Sequence, residues 1–187
     1  MIHNKMVSKK FKKITIYIDG SNFYFSIKNT FNCKVDFSKF CEKLVGENEL
    51  VEIKYYISPV EQFNNPKMYA QQQSFFDKLR EIKNLKIIFG RLEKRKKEGE
   101  IYYVEKATDV NLALDILLDA FDDKYDEAYL ISNDGDFSGA VNATIERFKK
   151  KVIYVAIGNK KSISYHLKKV ASKTFIITEK FISDVKI

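Results

Sequence analysis

Short, almost wholly apolar runs alternate along this chain with segments whose apolar residues recur every three or four positions. ITIYI (Ile14 to Ile18) is β-branched and aromatic, the mark of a buried strand. Ser21 to about Asn29 predicts a helix with Phe23 and Ile27 inward and Tyr24 as a third candidate. Asp36 or Ser38 is placed to cap a second helix carrying Phe40, Cys41, Leu44 and Val45, closed by Gly46. VEIKYYI (Val51 to Ile57) is the next strand, and Asn65-Pro66 opens a helix whose inward set is Met68, Phe75, Phe76, Leu79 and Ile82. LKIIFG predicts a third strand, and RLEKRKKEGEIYYVE a charged hairpin turning near Glu98-Gly99.

A helix from about Asp109 to Phe121 follows, with Leu112, Ile116 and the neighbouring leucines inward. EAYLIS is a strand, GDFSGAVNATIERF a helix and KVIYVAIG a strand; a short helix around Ser164 to Val170 and the strand TFIIT complete the series. Alternating elements with apolar strands predict an α/β fold: a mainly parallel central sheet covered on both faces, a three-layer α/β/α, Rossmann-like arrangement. The ligand site of such a sheet lies beyond the carboxyl ends of its strands, where the strand order reverses.

Composition sets the bounds. The chain has 187 residues, 45% of them hydrophobic, which fits one domain with its own core. We divide it into a basic arm (1–13), a domain (14–178) and a tail (179–187). Seven glycines and two prolines leave no room for a long flexible linker. The net charge of +8 favours polyanionic partners, although a lysine-rich solvated surface explains the charge equally well. Cys33 and Cys41 lie outside any CxxC spacing and only His3 and His166 could join them, so a structural zinc site is not expected and both are read as reduced thiols. After the basic start, the apolar run ends at Asp19, far short of the ~18 residues a membrane span needs; no membrane and a cytoplasmic location are expected.

The acidic residues then draw attention. Asp19 directly follows the first strand, Asp134 and Asp136 follow EAYLIS, and Asp109 starts the helix before that strand. Each has a plain structural reading as a helix cap or a dipole partner. Together they can approach one edge of the sheet. Carboxylates within ~4 Å repel by about 1 kcal/mol per pair in water and ~4 kcal/mol near a protein surface, which a shared cation relieves. Oxygen ligands without histidine point to Mg²⁺ or Mn²⁺. Asn22 is placed to orient Asp19 or a water, Ser132 to hold a phosphate oxygen or a carboxylate, and Lys106 to neutralise a phosphate. Asp115, six positions after Asp109, is turned off that face.

IYIDGSNFY, EKATDVNLALDILLDA, and YDEAYLISNDGDFSGAV with KKVIYVAIG resemble the three signature blocks of the NYN domain, the PIN-like nuclease group that includes LabA-type bacterial proteins. The resemblance runs from about Ile14 to Thr178. It maps Asp19 and Asn22, Lys106 and Asp109, and Ser132, Asp134, Asp136 and Phe137 onto the family pattern. Ala107 and Thr108 replace the usual glycine and hydrophobic residue before Asp109, and Asn133 stands where glycine is common.

The resemblance implies a PIN-like fold and a ribonuclease that hydrolyses RNA phosphodiesters with one or two Mg²⁺ or Mn²⁺ ions on Asp19, Asp109 and Asp134. Asp136 would be a ligand or an orienting group. Arg91, Lys94, Arg95, Lys96 and Lys97 would draw in the strand, and Phe23, Tyr24, Tyr102 and Tyr103 are the aromatics near enough to stack on bases. A homodimer is compatible with such a domain. The alternative is a non-catalytic RNA-binding or adaptor domain of the same fold. A haloacid-dehalogenase-type phosphatase lacks its second aspartate, since Ser21 stands there, and an adhesion-type metal loop is broken by Phe23.

Overall fold

The computed structural model describes residues 11–60, 65–97 and 100–187, with side chains described in these ranges except at 97, 100–103 and 105. The elements are β1 (Lys13–Asp19), α1 (Gly20–Phe31), α2 (Phe37–Val45), β2 (Glu49–Ile57), α3 (Pro66–Arg80), β3 (Leu85–Phe89), β4 (Arg91–Lys97), β5 (Glu100–Lys106) and α4 (Thr108–Phe121). β6 (Glu127–Ile131), a 3-10 turn (Gly135–Phe137), α5 (Ser138–Phe148), β7 (Lys151–Ala156), α6 (Tyr165–Val170), β8 (Lys173–Ile176) and α7 (Glu179–Ser183) follow.

Six strands form one sheet in the order β3-β2-β1-β6-β7-β8, and every neighbouring pair is parallel. The chain winds outward from β1 to β3, then crosses to β6 on the other side of β1 and winds outward again. The reversal lies between β1 and β6, whose register ends on the pair Ile18 and Ile131. Asp19 and Ser132, the next residues on each strand, are thereby brought side by side.

Alternation along the strands divides the core in two. Ile14, Ile16 and Ile18 face a cluster with Phe23 and Ile27 of α1, Phe40 and Cys41 of α2, and Phe76 and Leu79 of α3. Tyr17 and Tyr56 face the opposite cluster, built with Leu112 and Ile116 of α4, Val141 of α5 and Leu167 of α6. The three-layer α/β/α fold expected from the sequence is therefore the one observed. The hairpin β4–β5 stands apart as an antiparallel two-stranded sheet. Its turn near Glu98-Gly99 lies outside the described residues, as do residues 1–10 of the basic arm.

Several local expectations change. Tyr24 is 55% exposed, because it lies one residue past the face fixed by Phe23 and Ile27. Leu114 and Leu118 are exposed on α4, two positions and so about 200° from Leu112 and Ile116. Met68 is exposed near the start of α3. GDFSGAVNATIERF begins with the 3-10 turn, not a full helix, because Asp134 caps it by accepting from the Asp136 N–H. Residues 179–187 carry α7, whose Phe181 and Ile182 are buried with Val185 in the first cluster. Cys33 and Cys41 are free thiols, and burial pushes the Cys41 thiol far above its usual range.

Candidate active site

Asp19 ends β1 and caps α1. Its Oδ1 accepts from the Asn22 N–H at 3.0 Å and its Oδ2 from the Ser132 hydroxyl at 3.0 Å. These two bonds, one to each oxygen, hold the carboxylate from two sides. Close packing beneath it leaves no latitude. A Cβ on Gly20 would stand 2.6 Å from the Tyr55 ring and 2.7 Å from the Tyr56 carbonyl oxygen. Gly20→Ala is therefore expected to push α1 off the sheet and destabilise the fold by about 1–3 kcal/mol. A urea midpoint unchanged from wild type would contradict this.

From Asp19 a chain of hydrogen bonds runs through the loop after β6. The Ser132 hydroxyl accepts from the Asp134 N–H at 3.1 Å, and Asp134 Oδ1 accepts from the Asp136 N–H at 2.9 Å. Ser132 is 2% exposed, so it holds a carboxylate in place and does not face an incoming phosphate. Asn22 acts in the same way: its Oδ1 accepts from the Asn133 N–H at 3.0 Å and from the Ser26 hydroxyl at 3.2 Å. Asp136 is exposed in the 3-10 turn.

A cavity of about 830 Å³ opens beside Asp19. One wall is the face of α1 from Ser21 to Thr30, another the segment from Lys106 to Val110, and a third the loop holding Ile157, Asn159 and Ser162. Asp19, Asn22, Lys106 and Asp109 thus share one cavity; Asp134 and Asp136 are not in its wall. Asp109 is exposed in the first turn of α4. Ala107, just before α4, has φ 70°, the left-handed conformation glycine favours. The alanine that departs from the family pattern keeps the turn a glycine would make, at a backbone cost of about 1–2 kcal/mol.

Arg91, Lys94 and Arg95 are exposed on β4 and lie outside the cavity wall. Glu93 pairs with Arg91 at 3.1 Å and with Arg95 at 3.5 Å, which reduces their net field. Arg91 faces Lys106 across the hairpin ladder, so the basic strand starts at the cavity rim. Phe23 is 5% exposed and belongs to the core. The Tyr102 and Tyr103 side chains lie outside those described.

A family model described as the NYN domain matches residues 13–179. The chain belongs to the NYN family. The NYN domain is a PIN-like family whose members are generally nucleases. The structure is also similar to the crystal structure of VPA0982 from Vibrio parahaemolyticus RIMD 2210633, a protein of unknown function. The identity is 26% and the TM-score 0.72, over 97% of this chain and 100% of that one. No curated protein matches the chain.

Three residues of this NYN domain went unrecognised in the sequence. Asn133 is the first: its Nδ2 donates to the Ile157 carbonyl at 2.7 Å and to Ser26 Oγ at 3.3 Å, and its Oδ1 accepts from the Tyr154 hydroxyl at 2.7 Å. With its N–H on Asn22, it ties β6 to α1 and β7, a role glycine could not fill. His166 is the second. It lies against Gly135, where a Cβ would stand 3.5 Å from its Cδ2, so an imidazole does adjoin the turn between Asp134 and Asp136. Phe25 is the third, 56% exposed in the cavity wall. Only Asn133 left a sequence signal, as the polar residue at a position where glycine is common.

Proposed function

We propose that this NYN domain is a metal-dependent ribonuclease that hydrolyses RNA phosphodiester bonds at the Asp19 end of the cavity. The observation that carries this reading is a buried carboxylate, held from two sides, that opens on a cavity also lined by Lys106 and Asp109. Among the described residues, no three His, Cys, Asp or Glu side chains are close enough to hold a metal ion between them. The donor chemistry nonetheless suits a hard cation. The carboxylates are surrounded by hydroxyl and amide oxygens, and Mg²⁺ is commonly held by one or two carboxylates with water and substrate phosphate completing its shell.

Asp19 would hold one or two Mg²⁺ or Mn²⁺ ions, with Asp109 across the cavity or Asp134 beyond the next strand end as the second carboxylate and not as a closed set of three. Bound there, the ion supplies positive charge that polarises a phosphate ester and acidifies water. Ser132 and the Asn22 N–H keep Asp19 aimed, and the Asn22–Asn133 link holds the two strand ends at a fixed separation. Lys106, in the cavity wall, would pair with a phosphate. The hairpin lysines and arginines add long-range attraction for a polyanion, which weakens with salt. Among the described residues no helix is long and apolar enough to cross a membrane.

That no three such side chains cluster among the described residues favours one other reading, a non-catalytic RNA-binding domain. Labelled single-stranded RNA incubated with Mn²⁺ separates the two. We expect wild type to cut it and Asp134→Asn to cut about 100-fold more slowly or worse. Equal rates would take Asp134 out of the reaction. Salt-sensitive binding that ignores EDTA, with no cleavage by wild type, would establish the binder.

A further inference from the structure

The cavity extends past the reacting end, and its far arm has a different chemistry. From Ser21 to Thr30 the α1 face runs for about 13 Å. Beyond Asp19, Lys106 and Asp109 the lining residues carry no charge: Ser26, Asn29 and Thr30 on α1, Asn159 and Ser162 across from them. The loop after β7 closes this wall, with Gly158 near Thr30. Phe25 sits in this polar surface, two residues from each of its core neighbours Phe23 and Ile27 and so on the opposite side of the helix. Phe25 is 56% exposed, and its ring lies edge-on to that of Tyr24, with centroids 5.2 Å apart. More than half of Phe25 is thus open to a cavity lined by amides and hydroxyls.

We infer that this arm is a subsite for one unpaired nucleobase of a single-stranded substrate, stacked on Phe25. The inference rests on the nuclease reading above and deepens it. A flat aromatic face with neutral donors and acceptors around it matches a base, whose faces are π surfaces and whose edges form hydrogen bonds. It does not match a phosphate, since no cation is among the described residues that line this arm; Lys160 and Lys161 belong to the loop after β7 but are not in its lining. The cation in the wall, Lys106, lies at the other end, where β4 adds more. The strand therefore runs with a phosphate at Asp19 and Lys106 and a neighbouring base on Phe25. A base inside a duplex is already paired and stacked, so the subsite selects single strands.

The protein contains no tryptophan, so Phe25→Trp creates a single indole reporter at the subsite. Phe121→Trp is the control, at the far end of α4 and on a ring 73% exposed. With EDTA present to prevent cleavage, a short single-stranded RNA is expected to quench the emission of Phe25→Trp and leave Phe121→Trp unchanged. The duplex of the same sequence is expected to quench neither. In the same buffer, anisotropy of end-labelled RNA is expected to show Phe25→Ala binding the single strand roughly 5- to 150-fold more weakly than wild type, the range of one lost base stack. Single-strand affinity unchanged in Phe25→Ala, or equal quenching by the duplex, overturns the subsite and leaves the Asp134→Asn result to judge the nuclease reading. If wild type binds neither RNA in EDTA, the subsite falls, and cleavage with Mn²⁺ by wild type and Asp134→Asn still judges the nuclease reading.

Discussion

Lys54→Met is expected to destabilise the domain by about 3–5 kcal/mol, the cost of leaving buried carboxylates without their cation. Lys54 lies on β2 under α4, and its side chain is 8% exposed. Its ammonium stands 2.5 Å from Asp119 Oδ2, 3.4 Å from Asp115 Oδ2 and 3.7 Å from Glu52 Oε2. Tyr17 and Tyr56 donate into the same cluster, to Asp119 and Asp115, and Lys124 reaches Asp119 at 2.8 Å. Methionine keeps the stem and removes the charge, so three carboxylates would face one another with only the outer lysines to screen them. The check is a urea midpoint at constant slope. A loss below about 1 kcal/mol would show that the cluster stabilises nothing. A second substitution, Asp119→Leu, is expected to recover most of the loss, because a hydrophobic pair of similar volume often equals a buried ion pair.

The same cluster sets a pH dependence. Burial by itself would raise the Asp119 carboxyl, but hydrogen bonds from Lys124, Lys54 and Tyr17 outweigh it and hold the group below its usual range. A folded value below the unfolded one means the contribution is complete above about pH 4 and is lost as pH falls through the folded value. The gap between wild type and Lys54→Met should therefore narrow in acid. A constant gap would place the effect in packing alone.

Asp19→Asn is expected to lower cleavage by about 100- to 1000-fold while the fold holds. Asparagine keeps the shape and caps a helix about as well as aspartate, so α1 should keep its start. What is lost is the negative charge at the cavity. Ser132→Ala supplies the contrast: it preserves the charge and removes only the hydroxyl that aims Oδ2, for an expected loss of about 10-fold. Equal rates for wild type and Asp19→Asn, with unchanged circular dichroism, would separate the buried carboxylate from the chemistry and leave it a helix cap only.

Most of the fold was legible from local pattern. Buried parallel strands are apolar on both faces, so ITIYI, EAYLI and KVIYVA stood out, and Asp36, Asn65 and Ser164 cap the helices their positions suggested. The carboxylates were legible as positions on elements, since each follows a strand or opens a helix. The roles of their neighbours were not. Ser132 and Asn22 read equally well as groups facing a ligand or groups holding a neighbour, and the choice turned on which side chain stood across the sheet reversal.

Two features had no local signature. Lys54 looks like a solvent-facing residue in VEIKYYI, and Asp115 and Asp119 look like the polar edge of α4; only the packing of α4 over β1 and β2 joins them. Phe25 looks like one more aromatic in a helix rich in them, and only the loop after β7 turns its exposed side into a cavity wall.

Asp19 therefore has two origins. The chain itself determined that an aspartate would end the first strand and cap the next helix, because periodicity and capping act over three or four residues. Tertiary structure alone decided that Ser132, Lys106, Asp109 and Asn133 would gather around it. These residues stand from 87 to 114 positions away from it in the sequence, and at that range only strand order and layer packing specify which side chains share one site.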